Sequence, residues 1–276
     1  MSIEDVTQEI ALSLPWIGKY GRRVASLLSL LEEAEQARAL LGPALIAKLL
    51  SRFTFLSVDQ YELSLLDMAT FIDETFDLDT TVLCATTADR QKDSAQRVLY
   101  DLVSTLAGIG RYKVRSLNRY DAAAKENYCE TVLLVDEFIG SGQSFAGRAR
   151  NLRRMFHQKN LAAPSIHGIA LAGMTHGLRA IETEFESLNV CMALRKGIED
   201  YSEQSARGID YSVMTEIEAL LTPHFEGDDM PSLGYAASEA LYARHGGSCP
   251  NNVFPVFWWP QRVGSVDRRP LFPRAL

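Results

Sequence analysis

From Asp79 onward the chain alternates between short β-branched runs and stretches with helical spacing, and this alternation restricts its fold more than any other feature. The candidate strands are residues 81–86, 112–117, 131–136, 165–172 and 190–194, and the candidate helices between them are residues 93–107, 144–158 and 176–188. Strands separated by helices predict crossover connections and a parallel sheet. We therefore expect an α/β fold with a Rossmann-like doubly wound parallel sheet.

The residues before and after this middle region show different sequence patterns. Apolar residues recur at helical spacing from Val24 to Ala34, the pair Gly42 and Pro43 is expected to end that helix, and a capping box from Ser57 to Gln60 predicts another. Beyond Gly227 come further glycines and a cluster of aromatic residues. The sequence thus predicts an N-terminal helical region over residues 1–78, an α/β core over 79–226, and a C-terminal hood-like lid or edge segment over 227–276.

Composition limits the classes of partner. A net charge of −7 and a pI near 5.3 give no overall attraction to polyphosphate backbones, so generic nucleic-acid binding is not expected. No apolar run approaches the roughly 20 residues that span a bilayer, and the N-terminus carries acids rather than a signal peptide. The four cysteines are too far apart for a zinc or redox motif. We expect a cytoplasmic protein with no membrane partner.

The most informative segment is an apolar strand that ends in two acids. Val132, Leu133, Leu134 and Val135 form a continuous apolar run, which is typical of a strand buried on both faces. In an open parallel sheet, ligands bind beyond the carboxyl ends of the strands, where Asp136 and Glu137 fall. The pattern predicts that both carboxylates reach a ligand site, where they are suited to hydrogen-bond the hydroxyls of a sugar.

A loop of small residues follows the two acids and leads into a helix. Its members are Gly140, Ser141, Gly142, Gln143 and Ser144. Glycines allow the backbone to approach a ligand closely, and the amides at a helix N-terminus, together with the helix dipole, bind phosphate. The residues 140–144, called the phosphate loop below, are therefore predicted to hold a phosphate group.

Two other glycine-rich phosphate motifs fit less well. A Walker-type loop needs lysine after its last glycine, and Gln143 occupies that place. A dinucleotide fingerprint would need its third glycine at the position of Phe145, and it has no use for two acids at the strand end.

The segment from Asp136 to Ser144 resembles the signature of the type I phosphoribosyltransferase family. That signature is an apolar strand, two acids, three variable residues, Thr or Ser, Gly, any residue, and Thr or Ser. Asp136, Glu137, Ser141, Gly142 and Ser144 fill its positions. The resemblance implies that the two acids contact the ribose 2′- and 3′-hydroxyls of 5-phosphoribosyl-1-pyrophosphate and that Ser141 to Ser144 bind the 5′-phosphate. It also implies Mg²⁺, carried on the pyrophosphate.

The same family has two further loops, which the sequence matches by position only. A pyrophosphate loop follows its first strand, where Arg90 and Lys92 stand in this chain, although a solvated basic loop fits those residues equally. A mobile lid precedes the signature strand, and Arg119, with Arg115 and Lys125, lies in that interval. An ordinary surface connection is the alternative there.

Two remaining features leave alternatives open. The C-terminal segment resembles the phosphoribosyltransferase-like branch found in bacterial conflict and defence systems. That resemblance implies that Asn251, Asn252 and an aromatic ring recognise a base. The alternative is that Trp258 and Trp259 pack in the core. On the helix after the signature, a basic stripe is interpreted as a solvated face. Its members are Arg150, Arg153, Arg154 and His157.

These observations predict an enzyme that transfers phosphoribose to an acceptor that the sequence does not identify, with release of pyrophosphate, as in a defence-system effector. The alternative is a non-catalytic module that binds a nucleotide or phosphoribosyl ligand and acts through a protein partner. The apolar helical N-terminus makes a homodimer plausible.

Overall fold

A computed structural model describes residues 2–87, 93–125 and 129–274 of the chain. The chain divides into two compact units. Val58–Leu194 forms one, called the sheet unit, and Met1–Ser57 together with Arg195–Leu276 forms the other, called the flanking unit. No helix in the described ranges is both long and apolar enough to cross a membrane.

Helices and strands are numbered separately in chain order. The helices are α1 (Ile3–Ser13), α2 (Pro15–Gly18), α3 (Gly21–Arg38), α4 (Leu41–Leu50), α5 (Val58–Thr75), α6 (Ser94–Gly108), α7 (Gln143–Gln158), α8 (Thr175–Ile181) and α9 (Gln204–Glu218). The strands are β1 (Thr54–Leu56), β2 (Thr81–Ala85), β3 (Arg115–Leu117), β4 (Thr131–Ile139), β5 (Ser165–Met174), β6 (Leu188–Leu194), β7 (His224–Phe225), β8 (Asp228–Asp229), β9 (Tyr242–Arg244), β10 (Gln261–Arg262) and β11 (Val266–Asp267). Short 3₁₀ turns include Tyr120–Lys125 and Glu182–Glu184.

The sheet unit contains one five-stranded parallel sheet in the order β3-β2-β4-β5-β6. Because β2 is the first of these strands in the chain and lies between the second and third, the order reverses between β2 and β4. This is the flavodoxin-like form of the doubly wound fold, which binds ligands at the point of reversal.

Both faces of the sheet are covered by helices. On one face, Val132 and Leu134 of β4 pack with apolar residues of α7 and α8. On the other face, Leu133 and Val135 pack with α5 and α6. Since successive side chains of a strand point to opposite faces, the apolar run of β4 supplies both cores at once. The predicted α/β fold with a doubly wound parallel sheet is confirmed.

Two predicted elements differ in extent from those observed. The strand predicted over residues 112–117 begins only at Arg115, where pairing with Val82 starts, and Tyr112 is largely exposed. The helix predicted over residues 176–188 ends at Ile181, and Leu188 already pairs with Gly168 in the sheet. Strand pairing sets the limit in both places: residues 112–114 have no partner strand among the described pairings, and at Leu188 pairing overrides the local helical spacing.

The flanking unit brings the two ends of the chain together. Its α3 packs with α4 and α9, and β1 pairs in parallel with β9, which aligns Thr54 with Tyr242. Gly42 and Pro43 do not end the first long helix as predicted. That helix ends at Arg38, and Pro43 lies in the first turn of α4, where a missing amide hydrogen costs nothing.

These units divide the chain differently from the predicted boundaries at 78/79 and 226/227. Helix α5 belongs to the sheet unit because Leu65, Met68 and Ile72 contribute to the core beneath the sheet. The residues before and after the sheet unit share a core of their own, in which Phe53 stacks on Phe272 with ring centroids 4.8 Å apart.

The C-terminal aromatic cluster belongs to this core. Trp258 and Trp259 are 2% and 0% exposed, and Trp258 Nε1 donates to the Val253 carbonyl at 2.8 Å. Asn252 is also buried, and its side-chain amide donates to Ser238 Oγ at 2.9 Å. Of the two alternatives for this segment, the structure favours packing over recognition of a base.

One carboxyl group of the flanking unit gives stability a pH dependence. Glu218 is 3% exposed, and burial raises its pKa to about 7 although Ser232 Oγ and the Leu233 amide donate to it at 2.6 and 3.0 Å. A raised pKa means that the folded state binds the proton more tightly, so stability falls as pH rises from the unfolded pKa to the folded one.

We expect Glu218→Gln to remove this loss. Each pKa unit corresponds to about 1.4 kcal/mol, so the variant should gain roughly 3 kcal/mol relative to the wild type between pH 4.5 and 8. Urea unfolding of both proteins across that range measures the difference, and Glu35→Gln, at an exposed position, is the control. A difference that does not change with pH would contradict the assignment.

Candidate functional site

The candidate site lies at the carboxyl edge of the sheet, where the strand order reverses. β2 ends at Ala85 and β4 at Ile139, and the Thr86 amide still donates to the Val135 carbonyl at 3.1 Å. Thr86 and Asp136 are thereby brought to the same place. A ligand in a doubly wound fold binds in the crevice at this edge.

Asp136 lies at this edge and is the less buried of the two signature acids. The residue as a whole is half-buried, and its carboxylate accepts a hydrogen bond from Thr86 Oγ1 at 2.5 Å and another from the Glu137 amide at 2.7 Å. Burial raises the pKa of Asp136 to about 6, the two hydrogen bonds oppose that rise, and the charge of Asp93 adds to it. Asp136 is therefore held in a fixed orientation and titrates close to neutral pH.

Glu137 lies deeper than its neighbour. It is 1% exposed, and it follows Leu133 and Val135 along the face of β4 that packs against α5 and α6. The structure thus brings the two acids of the signature to the same strand end but to different depths. Asp136 is the better placed of the two to contact a ligand.

The phosphate loop leads directly into α7, as predicted. Gly142 is the N-cap residue with φ +78°, and within the described chain no side chain caps this helix end and its first turn contains no acid. The Ala146 amide donates to the Gly142 carbonyl at 2.9 Å, so the amides of Gln143, Ser144 and Phe145 precede the first intrahelical bond. Gln143 and Ser144 are exposed. This end of α7 can accept an anion.

The shape of the loop is fixed by its contact with α8. A Cβ atom built on Gly142 would lie 2.5 Å from Ile181 Cγ2, and one built on Gly177 would lie 1.9 Å from the Gly140 carbonyl oxygen. Both distances are far below van der Waals contact. Two glycines therefore allow the loop and α8 to pack backbone against backbone.

The predicted site also includes three basic residues, Arg90, Lys92 and Arg119. Arg90 and Lys92 lie outside the described residues. Arg119 forms a bidentate ion pair with Asp121, with nitrogen to oxygen distances of 2.9 and 2.6 Å. Asp121 compensates the charge of Arg119 in this conformation.

Sequence reasoning missed two contributors to the site. Thr86 falls in a predicted strand, although a hydroxyl directly after an apolar run is the same signal that identifies Asp136. Gly177 leaves no comparable signal, because its role depends on a contact with Gly140, which is distant in the chain.

The residues at this edge suit a metal ion that is held mainly by the phosphate groups of a substrate and only in part by protein side chains. Within residues 2–87, 93–125 and 129–274, no three His, Cys, Asp or Glu side chains are grouped so that they could bind a metal ion. Mg²⁺ commonly takes one or two carboxylates and completes its shell with substrate phosphates and water. Asp136 can supply one such carboxylate, so the residues fit Mg²⁺ that arrives on a diphosphate.

Comparisons with known proteins give distant structural likenesses and one family. A Helicobacter pylori xanthine-guanine-hypoxanthine phosphoribosyltransferase is 11% identical, with a TM-score of 0.34 over 49% of this chain and 84% of that one. A hypoxanthine-guanine-xanthine phosphoribosyltransferase is 16% identical, with a TM-score of 0.33 over 50% of this chain and 75% of that one. No curated protein matches the sequence. A family model described as PRTase-CE matches residues 33–274, which include parts of both compact units.

Proposed function

Because the chain belongs to the PRTase-CE family, we propose that its carboxyl-edge site binds 5-phosphoribosyl-1-pyrophosphate or a related ribose 5-phosphate and transfers phosphoribose to an acceptor. The observation that carries the proposal is the N-terminus of α7, which no side chain of the described residues caps and where Gly142 has φ +78°, beside the oriented carboxylate of Asp136. An anion receptor and a hydroxyl acceptor at one strand end suit a phosphorylated sugar.

Each part of the site has a distinct task in the proposed reaction. The amides of Gln143, Ser144 and Phe145, with the hydroxyls of Ser141 and Ser144, hold the 5′-phosphate. Asp136 accepts hydrogen bonds from the ribose hydroxyls, and Thr86 keeps that carboxylate in place. The chain therefore positions the sugar and performs no covalent step itself.

The transfer breaks one bond and forms another at the ribose C1. The bond from C1 to the pyrophosphate oxygen breaks, pyrophosphate leaves with the electron pair, and a nucleophilic atom of the acceptor bonds to C1. Positive charge develops on the sugar ring, and the carboxylate of Asp136 is a source of negative charge at this site. Mg²⁺, when bound, would neutralise charge on the departing pyrophosphate, and Asp136 could supply a carboxylate to it.

Release of pyrophosphate tests the enzymatic proposal. Labelled 5-phosphoribosyl-1-pyrophosphate is incubated with Mg²⁺ and a panel of purine and pyrimidine bases, with water alone as the blank. We expect release in the wild type and a loss of about 100-fold in Asp136→Asn, because the sugar is no longer positioned. Asp73→Asn, which disturbs a surface pair with Arg111, is the control. Equal rates in the wild type and Asp136→Asn would remove the assignment.

The raised pKa of Asp136 predicts a pH dependence of binding. The ionised carboxylate is the better acceptor for ribose hydroxyls, so affinity for ribose 5-phosphate should fall as pH drops through about 6. At pH 5 the expected loss is roughly tenfold, in addition to the effect of the ligand's own phosphate, which titrates near ~6.

Calorimetry at pH 5 to 8 on the wild type and Asp136→Asn separates the two contributions. The variant should bind more weakly at pH 8 and retain only the dependence that belongs to the ligand. An identical pH profile in both proteins would show that Asp136 does not contact the sugar.

A second candidate function is a module that binds the same ligand and transfers nothing. The ion pair between Arg119 and Asp121 favours it, because the predicted lid arginine is engaged by its own neighbour. Magnesium-dependent binding of 5-phosphoribosyl-1-pyrophosphate without release of pyrophosphate, with or without bases, would select this candidate.

A further inference from the structure

A groove runs along α7 away from the phosphate loop. It encloses about 470 Å³ and is lined by Tyr120, Ser144, Gly147, Arg148, Arg150, Asn151 and Arg154. Ser144 belongs both to this groove, called the α7 groove below, and to the phosphate loop. The distance along the helix from Ser144 to Arg154 is about 15 Å at 1.5 Å per residue. The groove is therefore a continuation of the proposed 5′-phosphate site.

The positive charge of the α7 groove is only partly compensated. Arg150 forms an ion pair with Glu184 at 2.7 Å, and Arg153 binds the Glu184 carbonyl from outside the groove. Arg148 and Arg154, in contrast, have no acidic partner among the residues that the structure describes, and none of the described lining residues is acidic. Two guanidinium groups are thus available to an anion.

Neutral contacts hold these two guanidinium groups in position. The Arg148 guanidinium lies over the Tyr120 ring, 5.4 Å from its centroid. The Asn151 side-chain amide donates to the Tyr120 hydroxyl at 2.6 Å, and Arg154 donates to Asn151 Oδ1 at 2.6 Å. Each arginine is therefore oriented by a residue that leaves its charge unneutralised. A preorganised pair of guanidinium groups is typical of phosphate recognition.

This arrangement changes how the basic stripe of α7 is interpreted. Helical spacing alone does not separate its members, and a solvated face describes them all. In the structure, Arg150 and Arg153 both contact Glu184, although Arg150 also lines the α7 groove. Arg154 lines the groove together with Arg148, which lies outside the predicted stripe. Only the second pair is a candidate for ligand binding.

We propose that the α7 groove binds a second phosphate of the ligand whose first phosphate occupies the phosphate loop, an inference that rests on the proposed function. The ligand class is a ribose 5′-diphosphate esterified to a further group, as in a dinucleotide. A phosphate held at Ser144 stands at the entrance of the groove, so a substituent on that phosphate enters it. Ligands with a bare 5′-phosphate fill the loop and leave the groove to solvent.

Calorimetry with two probes tests this inference. Ribose 5-phosphate reaches only the phosphate loop, and ADP-ribose carries a second phosphate and a nucleoside beyond it. We expect the wild type to bind ADP-ribose roughly tenfold more tightly than ribose 5-phosphate, because one additional charge-assisted hydrogen bond contributes a gain of about this size. In Arg148→Gln/Arg154→Gln this gain should vanish while affinity for ribose 5-phosphate stays within about twofold, since both arginines lie past the loop.

Matched variants exclude a general charge effect. Arg97→Gln/Arg153→Gln removes the same net charge from residues that pair with Asp101 and Glu184, and it should keep the gain. Inorganic phosphate added together with ribose 5-phosphate should not reproduce the gain. A gain with free phosphate equal to that of ADP-ribose would indicate an independent anion site and overturn the single-ligand inference.

The possible failures are distinguishable. If ribose 5-phosphate binds and ADP-ribose shows no gain, or a gain that survives Arg148→Gln/Arg154→Gln, the inference about the groove is overturned and the proposed function stands. If the wild type binds neither ribose 5-phosphate nor 5-phosphoribosyl-1-pyrophosphate, the proposed function fails and the inference fails with it.

Discussion

Replacing Gly177 by alanine is expected to weaken binding of ribose 5-phosphate by about 100-fold or more, although Gly177 contacts no part of the proposed ligand. The added Cβ would lie 1.9 Å from the Gly140 carbonyl oxygen. Both groups are backbone or fixed to it, so no side-chain rotation relieves the overlap. The phosphate loop must move by about 1 Å or more, and displacements of that size cost roughly 10²-fold in aligned sites.

The measurement is calorimetric titration of Gly177→Ala with ribose 5-phosphate, after circular dichroism has shown that the variant is folded. Gly108→Ala is the control, because its added Cβ would meet no described atom within 4 Å apart from its chain neighbours and the nearby backbone of its own helix. Gly108→Ala should bind as the wild type does. Unchanged affinity in a folded Gly177→Ala protein would mean that the geometry of the phosphate loop does not determine binding.

Replacing Arg268 by methionine is expected to destabilise the flanking unit by about 3–5 kcal/mol. Arg268 and Glu33 form an ion pair at 2.7 Å whose side chains are only 4% and 8% exposed. Arg268 also donates to the carbonyls of Trp259 and Val256 at 2.6 and 3.0 Å. Removing one partner of a buried pair leaves an uncompensated charge, which costs about this much.

A double-mutant cycle by urea unfolding isolates the pair from the two carbonyl contacts. Adding Glu33→Gln to Arg268→Met should restore at least about 2 kcal/mol, because the buried charge is gone. The exposed pair of Arg38 and Glu216, with side chains 51% and 34% exposed, is the control. Arg38→Met should cost less than about 1 kcal/mol. A coupling energy near zero for the buried pair would contradict the expected loss.

Much of the sheet unit is predictable because its signals are local. The continuous apolar run of β4 needs no information beyond four consecutive residues, and the acids and glycines that follow it are adjacent in the chain. Parallel pairing then determines where they lie, since the carboxyl ends of parallel strands meet at one edge. Asp136 and Gly142 are therefore identifiable from sequence as residues of this edge, and their roles in binding stay predictions.

The features that escape prediction depend on contacts between distant residues. The depth of Glu137 follows from which helices cover its face of β4, and the tight fit of Gly177 follows from the path of the phosphate loop. The predicted flanks, residues 1–78 and 227–276, look separate in sequence because no local pattern indicates that β1 pairs with β9. The division of the arginines of α7 into paired and available ones likewise requires the position of Glu184.

A crystal structure of the protein with ribose 5-phosphate tests the central claim most directly. We predict that the phosphate accepts hydrogen bonds from the amides of Gln143, Ser144 and Phe145, with a ribose hydroxyl bonded to Asp136. A phosphate bound only in the α7 groove, or in the cavity that Asp73 and Arg111 line, with the N-terminus of α7 left to water, would contradict it.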